Sequence, residues 1–145
     1  MVVLYALGAL VLGGAAYIRL APSDPAVWHV GVAASGLADC AMQAASDSAR
    51  LSCLIDGAPG DVLARLDTVA VATPRTTRLA GSAEEGRITW VTRTRLWGFP
   101  DYTTAEARGE GGQTRLDLFA RQRFGNNDWG VNAARLAAWK AALGI

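Results

Sequence analysis

The sequence contains few of the side chains that most often carry chemistry at neutral pH. Among its 145 residues there is one histidine, His29, and there are two cysteines, Cys40 and Cys53. A structural zinc site takes about four ligands, most often of these two types, so the set is too small for one. His29 also lacks a second histidine to pair with, and we expect it to be incidental to any catalysis.

Charge and motifs exclude several further classes of function. The formal net charge is +1, whereas nucleic-acid-binding domains normally carry a strong basic excess, so no nucleic-acid partner is expected. The sequence has no GxSxG elbow, Walker loop or GxGxxG fingerprint, and its cysteines do not form a CxxC pair. These absences favour a protein that is not an enzyme, and they predict neither a cofactor nor a metal.

A long apolar run opens the chain. Residues 1–18, MVVLYALGALVLGGAAYI, carry no charged side chain, and the first one is Arg19. Eighteen helical residues span about 27 Å, close to the ~30 Å hydrocarbon core of a bilayer. Residues 1–20 are therefore predicted to form a transmembrane anchor. The alternative is a signal peptide cleaved after GAA at 14–16, although no Lys or Arg precedes the run, which is long for such a peptide.

Two features bear on which side of the membrane the domain lies, but together they do not decide it. Arg19 follows the apolar run and by the positive-inside rule favours a cytoplasmic domain. Cys40 and Cys53 permit one disulfide in an oxidising compartment or two thiols in a reducing one.

Residues 21–58 are predicted to be a linker followed by an irregular segment. Pro22 and Pro25 disfavour a helix, and Trp28 is expected at the membrane interface or docked on the domain. Residues 31–53 are small and weakly patterned, which indicates at most one short helix near residues 38–45.

Residues 59–145 are predicted to form an α+β domain. A helix at about 61–71 has Asp61 as its N-cap and an apolar stripe from Val62 to Val69. Beyond this helix, side chains of different character alternate with a period of two, as in strands, in four stretches: 75–81, 87–97, 102–109 and 113–124. These predict a three- to four-stranded antiparallel meander, packed against the preceding helix and a C-terminal helix.

The segment RQRFGNNDWGVNAARLAAWK, residues 121–140, joins the last predicted strand to the C-terminal helix. An EF-hand calcium loop is excluded, because no glutamate stands at the twelfth position from Asn126. With Asn132 as the N-cap, Val131 and Leu136 have the spacing of a hydrophobic staple. Capping is therefore favoured, and residues 126–129 are expected only to turn the chain from sheet to helix.

Alternating arginines supply the candidate binding surface. Arg93 and Arg95 alternate on one predicted strand, and Arg121 and Arg123 alternate on another. If the registers agree, their guanidinium groups share a face that suits an acidic headgroup or an anionic partner. A slip of one residue would separate the two pairs, and a solvated face with exposed ion pairs is the alternative.

The residues therefore predict a membrane-anchored, non-enzymatic domain that binds a membrane-protein partner or an anionic lipid. A role as an accessory subunit of an inner-membrane complex fits the same features. The alternative is a small-ligand carrier or an enzyme with a cleft between the sheet and the helices, which a pocket holding a buried acid of perturbed pKa would favour.

Two stretches, ITWVTRTRLWGFPDYTTAEA and LDLFARQRFGNNDWGVNAARLAAW, resemble the domain of unknown function 1499 family of bacteria and plastids. Members of that family end on a polar loop, GVN, an arginine and a terminal helix. The matching positions here are Asp128, Gly130, Val131, Asn132 and Arg135. The likeness covers about residues 60–143, and YIRLAPSDPAVWHV is similar to the membrane-proximal segment of one proteobacterial branch.

The resemblance implies a location rather than an activity. It favours a domain on the periplasmic side of a bacterial inner membrane, against the signal from Arg19. Many members open with a Cys-Pro motif that holds a second cysteine a few residues on. Here Cys40 and Cys53 lie farther apart and neither precedes a proline, so no role of that motif is implied.

Overall fold

The structure, a computed structural model, describes residues 1–33 and 40–145. Within these ranges its helices and strands follow in the order α1 Val2–Leu20, α2 Pro25–Trp28, β1 Ala41–Ala44, β2 Ser48–Ile55, α3 Pro59–Ala72, β3 Thr76–Ser82, β4 Arg87–Arg93, β5 Pro100–Glu110, β6 Gln113–Gln122 and α4 Val131–Leu143.

The six strands form one antiparallel sheet in the order β1-β2-β6-β5-β4-β3. Strands β3 to β6 are neighbours both in sequence and in the sheet, as expected for a meander joined by short turns. The predicted α+β class, with an antiparallel meander and helices before and after it, is confirmed. The sheet is larger than the three to four strands predicted, because β1 and β2 extend it beyond β6.

Both additional strands come from the segment predicted to be linker and irregular. Residues 41–44, where a short helix was expected, form β1, whereas Ala38 and Asp39 lie outside the described residues. Alanine and serine favour strands only weakly, which explains the missing sequence signal. Pairing supplies the stability instead, since all eight residues of β2 pair with β6. A disulfide between Cys40 and Cys53 joins the start of β1 to β2.

Helices α3 and α4 pack on one face of the sheet and form the core with it. Leu66 of α3 and Leu136 and Trp139 of α4 are buried there. The ring of Trp90 on β4 meets Trp139 edge-on at 5.4 Å between centroids. Its indole N–H donates to Asp67 of α3 at 2.8 Å, so the largest apolar side chain of the sheet also has its polar atom satisfied.

Helix α1 stands outside this core. It is long and apolar enough to cross a membrane by length and composition, and none of its residues is buried. A core helix of similar composition would be covered, whereas a helix surrounded by lipid or a signal sequence is exposed.

Neither α3 nor α4 begins at the N-cap predicted from the sequence. Helix α3 begins at Pro59, which is favoured at the first helical position, so Asp61 lies inside the first turn and there is no side-chain cap. Helix α4 begins at Val131, which places Asn132 inside the helix. The predicted staple is wrong for the same reason, since Val131 belongs to the helix rather than preceding its cap.

Asp128 caps α4 from the preceding loop. Its carboxylate accepts hydrogen bonds from the backbone N–H of Gly130 at 2.8 Å and from that of Asn132 at 3.1 Å. It also accepts from the side-chain amide of Asn132 at 2.7 Å. A carboxylate at this position satisfies N–H groups that have no partner within the helix and interacts favourably with the helix dipole.

Replacing Asp128 by Ala is expected to lower the free energy of unfolding by about 1–2 kcal/mol, because donors at the start of α4 lose their acceptor. The matched control is Asp61→Ala, which removes a carboxylate from the first turn of α3 but no capping hydrogen bond, and should cost about 0.5 kcal/mol. Urea denaturation followed by circular dichroism compares the two. Equal losses would contradict the assignment of the cap.

Candidate functional site

Three of the four candidate arginines share the outer face of the sheet, which is the face opposite α3 and α4. Arg93 on β4 pairs with Pro100 on β5, and the backbone N–H of Arg123 donates to the carbonyl of Pro100 at 3.3 Å. Arg121 lies on the same side of β6 as Arg123, because side chains alternate along a strand. Arg95 is exposed beyond the end of β4 and does not belong to this row.

The outer face is covered by the segment that follows α1. We call residues 21–32 the strap; it includes α2. The indole of Trp28 stacks on the ring of Tyr102, with 3.9 Å between centroids and 10° between planes. One residue on, the imidazole Nδ1 of His29 lies 2.9 Å from the hydroxyl of Thr89. The single histidine therefore holds the strap against the sheet.

Arginines of the outer face donate to backbone carbonyls of the strap. Arg121 donates to the carbonyl of Trp28 at 2.7 Å, and Arg123 donates to the carbonyl of Pro22 at 2.7 Å. Hydrogen bonds from a charged donor are stronger than those between neutral groups. These guanidinium groups are thus engaged inside the fold, and the face is not the open anion-binding surface that the alternation suggested.

The guanidinium group of Arg121 is largely enclosed by its surroundings. Burial lowers its pKa, and the positive charge of Arg50 on β2 lowers the pKa further. The same group lies 4.9 Å from the ring centroid of Phe119 and 5.4 Å from that of Trp28. Aromatic faces and carbonyl dipoles therefore stabilise its charge.

The last turn of α1 is fixed to one end of the sheet. The guanidinium of Arg19 donates to the carbonyl of Leu96 at 2.7 Å, in the turn between β4 and β5. The ring of Tyr17 meets Phe124 edge-on at 6.2 Å between centroids. These contacts place the end of the apolar helix beside the β4–β5 turn and the segment that follows β6.

A cleft of about 380 Å³ opens at this same end of the sheet. Its walls come from the β4–β5 turn, the adjoining strand ends and the loop before α4. The apolar side chains that line it are Phe99, Phe124, Trp129 and Val131, and the polar ones are Thr94, Asp101, Gln122, Asn127 and Asp128. Phe124 thus lines the cleft and also contacts α1.

The buried end of the cleft is polar. The carboxylate of Asp101 accepts a hydrogen bond from Arg135 of α4 at 3.0 Å, and both side chains are buried. Burial nevertheless raises the pKa of Asp101, and the nearby charge of Asp128 raises it further. The side-chain amide N–H of Gln122 is buried and has no partner within the described part of the chain. An unsatisfied donor of this kind is costly, and a bound ligand could satisfy it.

The outer end of the cleft is aromatic. Trp129 is 88% exposed and has a φ of 55°, which is unusual for a bulky residue. Its backbone N–H donates to the side-chain oxygen of Asn127 at 2.7 Å, which stabilises the turn. Unusual backbone conformations that persist in a fold are concentrated at functional sites. The loop expected only to turn the chain therefore presents an indole at the mouth of a cleft.

The chemistry available in the cleft is hydrogen bonding and apolar contact. Within residues 1–33 and 40–145 no group of three His, Cys, Asp or Glu side chains could hold a metal. Sequence reasoning missed this site because its residues come from separate segments. The available signal was the density of aromatic residues around the β4–β5 turn and in residues 124–131.

Replacing Trp28 by Ala is expected to release the strap from the outer face, because the stack on Tyr102 contributes about 2 kcal/mol through burial and ring contact. Amide hydrogen exchange in residues 21–32 should accelerate at least about tenfold. The control is Val27→Ala, a neighbouring exposed position of the same short helix. Identical exchange in the two variants would contradict the proposed contact.

Asp101 is expected to give the protein a specific dependence on pH. Because its folded pKa is raised above the ordinary value of 3.8, its contribution to stability is complete below that value and is lost as pH rises through the folded pKa. Asp101→Asn does not titrate. The free energy of unfolding of the wild type, measured relative to this variant by urea denaturation, should therefore fall as pH rises from about 4. A difference that is constant with pH would contradict the raised pKa.

Comparison with known proteins supports one assignment. The chain matches the family model described as "Protein of unknown function (DUF1499)" over residues 34–143. Among solved structures it is similar to the crystal structure of TTHA0849 from Thermus thermophilus, with 14% identity, a TM-score of 0.35, and coverage of 66% of this chain and 93% of that one. The comparison with curated proteins finds no match. Since the family model spans most of the chain, the protein belongs to the DUF1499 family.

Proposed function

We propose that this protein is a membrane-anchored, non-enzymatic domain that binds a lipid or lipid-like amphiphile in the cleft beside the end of α1. One observation carries the proposal: Phe124 lines the cleft and also packs against Tyr17 in the last turn of α1. An amphiphile leaving the bilayer would therefore meet the cleft at the level of the membrane surface. The volume of about 380 Å³ lies within the range of small-molecule sites, about 300–1,000 Å³.

The charges around the cleft favour a neutral polar head. Two carboxylates, those of Asp101 and Asp128, line the cleft, and one guanidinium, that of Arg135, is paired with Asp101. An anionic head would meet an excess of negative charge in a site of low dielectric constant. The amide N–H of Gln122 suits a hydroxyl or carbonyl oxygen, and the carboxylates suit a hydroxyl donor. The proposal thus moves the lipid site from the arginine row to the cleft and changes the expected head from anionic to uncharged.

The anchoring and the location are part of the same proposal. No residue of α1 is buried, which suits a segment surrounded by lipid. We propose that the domain faces the periplasm of a bacterial inner membrane, and the disulfide between Cys40 and Cys53 supports an oxidising compartment. A role as an accessory subunit of an inner-membrane complex stays a prediction from the sequence.

The test titrates the full-length protein in lipid nanodiscs with a short-chain monoacylglycerol as the neutral probe and the corresponding fatty acid as the anionic probe. The signal is the fluorescence of Trp129, obtained as the difference between the wild type and Trp129→Phe. We expect a saturable response to the monoacylglycerol and a weaker one to the fatty acid. Gln122→Leu should weaken binding of the monoacylglycerol about tenfold, because a hydrogen bond to its head is lost.

A matched pair of variants distinguishes the loss of an apolar contact in the cleft from the effect of placing an asparagine elsewhere on the surface. Val131→Asn changes an apolar side chain at the cleft, and Val71→Asn makes the same change on α3, at exposures of 45% and 48%. The first should weaken binding about tenfold, and the second should leave it unchanged. Equal behaviour of the two, or the absence of a saturable response in the wild type, would contradict the proposal.

A further inference from the structure

The turn between β4 and β5 carries an exposed apolar pair next to an exposed cation. Leu96 is 72% exposed and Trp97 is 44% exposed, and they are consecutive. Arg95 precedes them, is exposed, and makes no hydrogen bond or ion pair with another residue in the described ranges. Neither the strap nor the cleft uses these three side chains.

This turn lies at the level where the apolar helix ends. The guanidinium of Arg19, the first charge after the apolar run, donates to the carbonyl of Leu96 at 2.7 Å. Gly98 packs so closely on Arg19 that an added Cβ would lie 2.9 Å from its Cγ, and its φ of 71° also favours glycine. If α1 spans the bilayer, Arg19 lies at the headgroups, because a charge is excluded from the hydrocarbon core. The turn is bonded to Arg19 and lies at the same depth.

We propose that Arg95, Leu96 and Trp97 form a docking turn that seats the domain on the bilayer surface. The side chains of Leu96 and Trp97 enter the interfacial region, where tryptophan is favoured because its ring is apolar and its N–H remains hydrated. The guanidinium of Arg95 binds a lipid phosphate, which suits its planar donors. Arg93 donates to the carbonyl of Gly98 at 3.0 Å, and Arg121 and Arg123 donate to the strap. Of the four arginines that the sequence suggested for anionic lipid, Arg95 therefore remains available for it.

Docking also fixes the position of the cleft. Thr94 and Phe99 flank the docking turn and both line the cleft. A turn seated in the interface therefore holds the mouth of the cleft against the membrane. The inference rests on the anchoring in the proposed function and does not depend on the ligand of the cleft.

The experiment uses the full-length protein in phosphatidylcholine vesicles, with and without phosphatidylglycerol. Fluorescence of Trp97 is obtained as the difference between the wild type and Trp97→Phe, and it is quenched either by lipids brominated near the headgroup or by acrylamide in the water. We expect brominated lipids to remove roughly half or more of the Trp97 signal and acrylamide to remove little, as for an interfacial indole.

Two charge variants test the role of Arg95. Adding phosphatidylglycerol should increase lipid quenching of Trp97 in the wild type and in Arg115→Gln, which removes a charge at the opposite end of β6. In Arg95→Gln, phosphatidylglycerol should not increase the lipid quenching of Trp97, because the contact between Arg95 and a lipid phosphate is lost. The same response in both variants would overturn the role of Arg95.

Extraction with sodium carbonate separates the two ways in which the inference can fail. If α1 resists extraction but Trp97 is quenched by acrylamide and not by brominated lipid, the docking turn is wrong and the anchor stands. If carbonate releases the protein, the anchor and the docking turn are both overturned. Binding in the cleft is read independently from the monoacylglycerol titration.

Discussion

The contact between the strap and the outer face of the sheet is the interaction on which the rest of the structure depends. Two helices cover only one face, so a second layer is needed to shield Tyr102 and Thr104, which are buried on the other. The strap provides it with the indole of Trp28. Carbonyl groups of the strap need donors, and the partly buried guanidinium groups of Arg121 and Arg123 need acceptors. Because each guanidinium group donates to a carbonyl, neither a carbonyl without a donor nor a charged group without an acceptor is left inside the contact.

This contact also determines the position of α1 relative to the sheet. A flexible linker would let the helix and the domain move independently, whereas the strap is bonded from Pro22 to His29. Helix α1 therefore meets the sheet at one end, beside the cleft. The relation between the apolar helix and the cleft is a property of the fold.

Local pattern predicted the meander and both flanking helices, because alternation and apolar stripes are signals within a few residues. It did not predict β2, whose stability comes from pairing with β6, 59 to 73 residues away. The caps failed for a related reason. Asp61 and Asn132 were plausible N-caps by residue type, but the first helical residue depends on Pro59 and on the carboxylate of Asp128.

For the candidate site, too, local features could be predicted from the sequence and contacts between distant segments could not. The alternation of side chains along a strand correctly indicates that Arg121 and Arg123 share one face of the sheet. It contains no information about which segment covers that face. The prolines of the strap exclude a long helix, and the sequence therefore predicts a linker there rather than a layer packed on the sheet. The cleft combines β5, β6 and the loop before α4, so no single stretch of sequence could have indicated it. The resemblance carried by residues 128–135 did identify the family, since a family signature needs no knowledge of contacts.

The cap of α4 has a consequence for binding. Asp128 accepts from Asn132, the side chain of Asn132 accepts from Arg135 at 2.6 Å, and Arg135 donates to Asp101. Both carboxylates of the cleft are thus tied to α4 through a continuous series of hydrogen bonds. These hydrogen bonds restrain the separation of the two carboxylates, so little conformational entropy remains to be lost when a ligand enters. The buried end of the cleft is a preorganised pair of acceptors whose spacing is set by a turn of helix.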